Sequence, residues 1–593
     1  MFPKNLFRLA VAGLVGLSAP IISAEPADPD EHIVVTASRS EQAVSDSLAS
    51  VTLIDRDQIE ISQAPDLLEL LRKQAGIDMA RTGGPGGQTS VFLRGSNSNH
   101  VLVLIDGVRV SAAGTGAFAW ELLDPNLIER IEIVRGPRAA RWGSDAIGGV
   151  IQIFTRQAEG VGVRAAYGRY RDRSIAASMG TGQAGLTVAG RRVGGYSSQN
   201  ERGFAFDPDD DGFENISATS SGSTEVGPGH LHWSARLATG EAEFDQGESD
   251  FLNYAGRMEY RSNGQGPWQW LASASLYRDR LETETPFDES EVITRRVQTA
   301  FQGQTSLDQD NRWMVGVDAW RESGVSRNAW SEQRYNVGLW TGFDGRIGQL
   351  EHESAIRLDR DELFGNAVSG NLAAGWPVAE DWRLMASIGR AFRAPNFDQL
   401  FSPGFDGLFA GNPDLDPETS WSTELGVQWQ PDSRQRVTLA AFENRIDDLI
   451  DFSGTDFEAI NIQKARIRGA ELAWEYSDSD WRSRAQISWQ DSTDRDTGQR
   501  LLRRARENAS VSLDRLFGPS WIGGEIVHVG DRVDVGQQPL PSHTLVNLRA
   551  GYALPAGFRL EGRVENLTDR EYEQVFGFNT HRRSLFVAVS WER

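Results

Sequence analysis

LIERIEIVRGPRAARWGSDAIGGVIQIFT, from Leu127 to Thr155, closes a compact run that begins at Gly83 and includes GGPGG at Gly83–Gly87, VFLRG at Val91–Gly95 and VLVLIDGVRV at Val101–Val110. Its apolar runs are short and bounded by Gly, Asp or Pro, which marks strands buried on both faces and not helices. Strands of that kind need something to bury them. The remaining 438 residues (593 − 155) read as a sheet closed into a barrel, and the simplest arrangement seats the small domain inside it.

From Val161 onward the chain settles into period-two alternation. In His230–Leu237, residues Leu231, Trp233, Ala235 and Leu237 share one face, with His230, His232, Ser234 and Arg236 on the other. Trp268–Leu276 repeats the pattern, and in Phe558–Glu565 the apolar Phe558, Leu560 and Val564 oppose Arg559, Glu561, Arg563 and Glu565. One greasy and one charged face suit strands between lipid and a wet lumen, although a soluble sandwich alternates too. The 18 Trp and 10 Tyr, many near strand ends, favour aromatic girdles. A spanning strand of about 10 residues plus its connection gives on the order of 20 strands, close to the plugged class of about 22. The fold expected is therefore an all-β transmembrane barrel of about 22 antiparallel strands with an N-terminal α/β plug in its lumen.

A mean hydropathy of −0.42 is too polar for a helical membrane protein. The balance of 60 basic against 83 acidic residues, −23 overall, argues against a nucleic-acid partner. There is no cysteine, which removes thiol catalysis, thiolate metal sites and disulfides. Met1–Ala24 has the layout of a secretory signal, with Lys4 and Arg8 ahead of an apolar core and Ser23-Ala24 as cleavage site. The predicted units are thus a signal at 1–24, a linker at 25–44, a plug at 45–156 and a barrel at 157–593.

Within the linker, EHIVVTA at Glu31–Ala37 is a β-branched run beside a flexible leader, suited to pairing with the sheet edge of another chain. Asp66–Lys73 has helical spacing, with Pro65 tolerated in its first turn and Gly76 closing it. GGPGG lacks the GK[ST] of a phosphate loop and suits a plug loop approaching ligand. Arg94, Arg130, Arg135, Arg138 and Arg141, with Asp106, Glu121, Glu129, Glu132 and Asp145, are charges that a lumen must pair and solvate, able to hold two surfaces together and to exchange for water when one is pulled.

Two acidic loops stand apart. Asp207, Asp209 and Asp211 alternate before Gly212, and Phe244-Asp245 is followed by Glu248 and Asp250. Carboxylates so close repel unless a hard cation neutralises them, and oxygen donors select calcium. Ala218 stands where an EF-hand would need its last Glu, so that motif is excluded; a metal-free acidic surface is the alternative.

IDGVRV, IERIEIVRGPRAARWGSDAIGGVIQI, FRAPNFDQLF with GNPDLDPETS, and ENLTDREYE resemble, in order and spacing, the plug and barrel signatures of TonB-dependent outer-membrane transporters. The two acidic loops, GGPGGQTSVFLRGSNSNHVLVLIDGVRV, LIDFSGTDFEAINIQKARIRGAEL and LLRRARENAS narrow the resemblance to the cobalamin-receptor branch. The resemblance implies that Glu31, His32, Ile33, Val34, Val35, Thr36 and Ala37 form the TonB box, gripped at the periplasmic face by TonB with ExbB and ExbD. It implies corrinoid contacts at Gln88, Ser90, Asn97, Thr115, Gly116 and Arg503, and calcium at Asp207, Asp209, Asp211, Phe244, Asp245 and Asp250. Asp207 stands where a neutral amide is expected, and Arg593 replaces a terminal aromatic. The implied setting is a monomer in the outer membrane of a Gram-negative bacterium, among lipid and lipopolysaccharide, passing its cargo to a periplasmic corrinoid-binding protein.

A ferric-siderophore receptor shares every plug and barrel feature. A haem receptor would want an axial histidine, and Ala394–Pro413 contains none. A barrel enzyme would need a nucleophile and base, and neither GxSxG nor HExxH occurs. A passive porin would need neither plug nor coupling segment.

Overall fold

The computed structural model describes Val34, Val35, Arg39 and residues 42–593, apart from 265, 405–408 and 454–457. The expected signal at 1–24 and most of the coupling segment lie outside the described residues. From Gly160–Gly168 to Ser584–Glu592 the chain forms a closed barrel of 22 antiparallel strands. The last strand pairs with the first, Gly162 opposite Glu592 through Gly168 opposite Phe586. Arg593 continues this seam through main-chain bonds with Val161, while Trp591 packs on Phe558.

Outward positions are apolar because they meet lipid: Leu237, Leu276, Ile487 and Leu560 are among the exposed large hydrophobics. Inward positions carry the charge, with Arg236, Arg296, Arg357 and Glu471 all buried against the plug. Turns at one rim are short (182–183, 227–228, 348–349, 380–381), whereas the other rim carries 194–212, 394–417 and 566–583. Short turns face the periplasm and long loops the outside, which orients the barrel. Trp268, Trp270 and Trp313 cluster near the short-turn rim, as do Trp382 and Trp429. Trp421 lies eight residues back along the strand from Trp429, roughly 20 Å higher at the usual strand tilt, and marks the outer girdle.

The plug fills the lumen. A five-stranded sheet orders Val51–Ile54, Ile128–Arg135, Gly149–Thr155, Val101–Ile105 and Val108–Arg109 side by side, with one parallel pairing between Val101–Ile105 and Gly149–Thr155. Ile77–Arg81 and Thr89–Leu93 form a separate hairpin. The apolar core runs from Leu67, Leu71 and Leu93 to Ile131, Ile133 and Ile151, and continues into barrel-wall residues Ala176, Ala189 and Tyr277.

The helix expected over Asp66–Lys73 is shorter, Leu67–Leu71. Asp66 caps it by accepting the Glu69 N–H at 3.0 Å, so Pro65 precedes the cap and lies outside the first turn. A second helix, Arg56–Ser62, is capped in the same way by Asp55. The GGPGG loop needs glycine for closeness. A Cβ on Gly83 would meet Ser198, and one on Gly86 would come within 2.7 Å of Ala242 and Phe213.

Candidate functional site

Two features meet at the outer end of the plug, and a third runs from its interface with the barrel to the periplasmic side. The first is a carboxylate group formed where loop 194–212 meets the turn at 245–246. Ligand oxygens of Asp209, Asp211 and Asp245 all lie within 4.8 Å of one another, while Asp210 between them turns to Arg171 at 3.1 Å. Main-chain donors aim two of these carboxylates: Asp211 accepts Ser198 N–H at 2.6 Å, and Asp245 accepts Gln199 N–H and Asp207 N–H, the latter at 3.1 Å. Burial, then the neighbouring carboxylates, pushes Asp211 up to about 6. Three hard oxygen donors held this way fit a hard divalent cation such as calcium.

Asp207 contributes its main-chain N–H. Phe244 ends the strand Gly229–Phe244 opposite Gly247, next to Asp245. Asp250 does not join the group. The two-residue turn puts Gly247 opposite Phe244, so Asp250 is carried three rungs down its strand, opposite Glu241 and Glu282, and is exposed. Sequence reasoning missed Asn579, whose side-chain amide donates to Ser197 and Gln199 carbonyls at 2.9 and 2.7 Å and thereby fixes the segment that aims the carboxylates. No local pattern flagged that contact.

The second feature is a set of three plug apices, each touching an outer loop. Gln88 is exposed at the hairpin tip, and Ser90 is half-buried opposite Ala80. Asn97 opens a turn in which its own N–H donates to His100 Nδ1 at 3.3 Å, and its side-chain oxygen accepts from Arg504. Thr115 is exposed, Gly116 has φ +70°, and the Thr115 carbonyl accepts from Asn396 at 2.9 Å. Arg503 donates to Asp534 at 2.6 Å. Its neighbour Arg504 is the one that reaches the plug, over Phe92 and onto Gly95 O at 3.2 Å. LLRRA offered both arginines, and spacing alone could not choose between them. Beneath Asn97, His100 Nε2 lies 2.9 Å from Glu418, which also holds Arg393 and the Ile450 N–H, all fully buried.

The third feature is the electrostatic seating of plug and leader. Arg94 forks onto Glu471 at 3.0 and 2.9 Å and also reaches Glu424; Arg135 lies 3.6 Å from Glu471, and Arg138 donates to Glu353 at 3.0 Å. Plug arginines therefore pair across the interface with barrel carboxylates. Of the expected TonB box, only Val34 and Val35 are described; they pair with Ala43 and Gln42. Close by, Arg39 is drawn into the lumen. It donates to Asp318 at 3.3 Å, accepts from Gln302 through its carbonyl, and packs 4.9 Å from the Trp142 ring and 5.4 Å from Trp340. Burial lowers it to about 10, so it stays charged at neutral pH. On the periplasmic side a cavity of ≈ 1170 Å³ lies between plug residues such as Asp57 and Lys73 and barrel residues such as Arg434 and Arg482.

Comparison with known proteins matches residues 160–567 to the TonB dependent receptor-like β-barrel and residues 43–150 to the TonB-dependent receptor plug domain. The vitamin B12 transporter BtuB of Vibrio vulnificus is 30% identical over 618 residues, covering 96% of each chain. The BtuB of Vibrio cholerae El Tor is 29% identical and is covered in full. Among solved structures, the ferric enterobactin receptor PfeA of Pseudomonas aeruginosa superposes with a TM-score of 0.77 at 18% identity, covering 92% of this chain and 98% of that one. The copper transporter OprC gives the same values. At that identity these two establish a shared fold. Barrel, plug and the matched sequence models together make the chain a member of the TonB-dependent receptors of the Gram-negative outer membrane.

Proposed function

We propose that the chain imports cobalamin or a related corrinoid across the outer membrane, with calcium ordering its outer loops. The observation that carries this is full-length similarity to vitamin B12 transporters, on both plug and barrel. The carboxylate group of Asp209, Asp211 and Asp245 supports it, because loop 194–212, which carries two of them, meets the first plug apex where Ser198 lies against Gly83. Calcium would neutralise the group and fix loop 194–212 against 245–246, and Gln88, Ser90, Asn97, Thr115 and Gly116 then form the floor on which cargo rests. A cargo group bonding to Asn97 competes with Arg504 for the same side chain, so occupancy loosens a plug-to-loop contact.

Downstream, TonB with ExbB and ExbD grips Glu31–Ala37 and pulls. Force passes along the main chain to the plug once Arg39 leaves Asp318 of the barrel wall, and the plug's ion pairs with the barrel exchange for water as they part. The periplasmic cavity receives the cargo, and a periplasmic corrinoid-binding protein removes it. A ferric siderophore is the competing cargo, since the receptor PfeA shares this architecture.

Equilibrium binding of cobalamin to the purified protein, with and without a calcium chelator, tests the proposal. Tight binding that weakens on chelation is expected. No cobalamin binding in either condition, alongside tight binding of a ferric chelate, overturns it.

A further inference from the structure

The lipid-facing side of the outer rim carries an arginine cluster that import does not use. We propose that Arg445, Arg466, Arg468 and Arg506 bind the phosphate groups of an outer-leaflet glycolipid of the lipopolysaccharide class. Three of them stand on the outward faces of adjoining strands, and Arg506 comes from the connection that follows. In register, Arg445 lies opposite both Trp421 and Arg466, and Arg468 lies opposite both Glu443 and Asp491. The level of Trp421 is that of the outer girdle, and toward the periplasm the outward positions below Glu443, Arg468 and Asp491 are Ala441, Ala470 and Trp489, followed by the exposed and apolar Leu439, Leu472 and Ile487. The cluster therefore sits where lipid headgroups begin.

Charge and exposure point to an anion. Glu443 holds Arg445 at 2.6 Å and Arg466 at 3.0 Å; Asp491 holds Arg468 at 3.2 Å and Arg506 at 3.8 Å. Four cations on two carboxylates, with Lys464 and Asp447 opposite each other above them and the exposed Glu507 on the same face, leave one positive charge in excess, on a chain whose net charge is −23. The carboxylates are recessed, with 22% and 19% of their side chains exposed, while the guanidinium side chains stand outside them at 64%, 36%, 51% and 52%. Arg445 and Arg466, directly opposite each other, share the single carboxylate of Glu443, so each guanidinium has only part of that partner.

Guanidinium forks match phosphate oxygens two at a time, and each has donors that a shared carboxylate does not use. The excess positive charge and these unused donors suit a phosphorylated glycolipid headgroup. Elsewhere on the rim the balance is reversed: Arg280 and Arg327 are surrounded by Glu282, Glu289 and Glu291. That cluster is an internal control.

The full-length protein is placed in nanodiscs containing bis-phosphorylated lipid A, its dephosphorylated form, or phospholipid alone. Tightly held lipid is then counted by native mass spectrometry, with inorganic phosphate as a further competitor. The expected result is retention of the bis-phosphorylated lipid, resistant to inorganic phosphate. Retention should fall about tenfold or more in Arg445→Gln/Arg466→Gln, as the loss of charge-assisted bonds implies, and stay unchanged in Arg280→Gln/Arg327→Gln. These are surface positions, and an unaltered heat-modifiable gel shift confirms folding. Equal retention by the first variant, equal binding of the dephosphorylated lipid or of phospholipid, or an equal loss in the control variant would overturn the assignment.

Discussion

Arg39→Ala should release the leader from the lumen. The side chain contributes one charge-assisted hydrogen bond to Asp318 at 3.3 Å and contacts with the faces of Trp142 and Trp340. Asp318 is not left orphaned by its removal, because Arg357 still forks onto it at 2.7 and 2.8 Å. The loss is therefore that of the bond and ring contacts alone, about 2 kcal/mol, or roughly a 30-fold shift from docked to undocked leader. Asp318→Ala is harsher, since it strips a partner from both Arg39 and Arg357, and removing one side of a buried pair costs about 3–5 kcal/mol. Arg39→Lys keeps the charge without the planar fork and should fall between wild type and Ala. The chain has no cysteine, so Thr36→Cys carries a single spin label without further changes. The mobile fraction of its spectrum should rise strongly in Arg39→Ala, and added ligand should then change it little. An unchanged spectrum in both Arg39→Ala and Asp318→Ala would refute the assignment of this contact as what holds the leader.

Further outcomes follow from other contacts. Glu471→Ala takes a shared partner from Arg94 and Arg135; a loss of about 3–5 kcal/mol at the interface should appear as leakage of bulky antibiotics through cells expressing the variant. Asp211→Asn and Asp245→Asn should each abolish the calcium-dependent rise in melting temperature while leaving the calcium-free melt near wild type, as calorimetry with added calcium would record. Asn579→Ala keeps every carboxylate but frees Ser197–Gln199, so calcium should bind more weakly in the same titration. Glu121 in the plug is raised by burial from 4.5 to about 7, so it binds a proton more readily folded than unfolded. Its contribution to stability is complete below about pH 4.5 and lost as pH rises through about 7; Glu121→Gln should flatten that slope in melts taken across this window.

Much of the architecture was legible because lipid on one side and a wet lumen on the other force period-two alternation, as in His230–Leu237. Short runs such as Val101–Ile105 were legible as doubly buried strands because two plug clusters cover the two faces: Val101, Val103 and Ile105 lie in the main core, and Leu102 and Leu104 pack with Leu53, Val134 and Val150. Helix Arg56–Ser62 escaped because only Ile59 of its residues is buried, leaving little apolar periodicity. Partners far apart in the chain could not be read from local pattern. Arg94 and Glu471 are 377 positions apart, and nothing near Arg39 indicates that Asp318 awaits it. At the acidic loops the residue types were legible but the register was not. A two-residue turn fixes which carboxylates converge, so Asp245 joins Asp209 and Asp211 while Asp250 slides down the strand. Arg503 and Arg504 show the same limit, since one backbone residue with φ +65° sends the first arginine to Asp534 and leaves the second to meet the plug.

The most direct test of energised corrinoid import is uptake of radiolabelled cobalamin by cells that lack their own receptor and express this chain, in parallel strains with and without TonB. Accumulation inside the TonB-containing strain, and surface binding without accumulation in the strain lacking TonB, is the predicted result. Equal accumulation in both strains would contradict coupling through the leader, and no cobalamin taken up or bound in either would contradict the corrinoid as cargo.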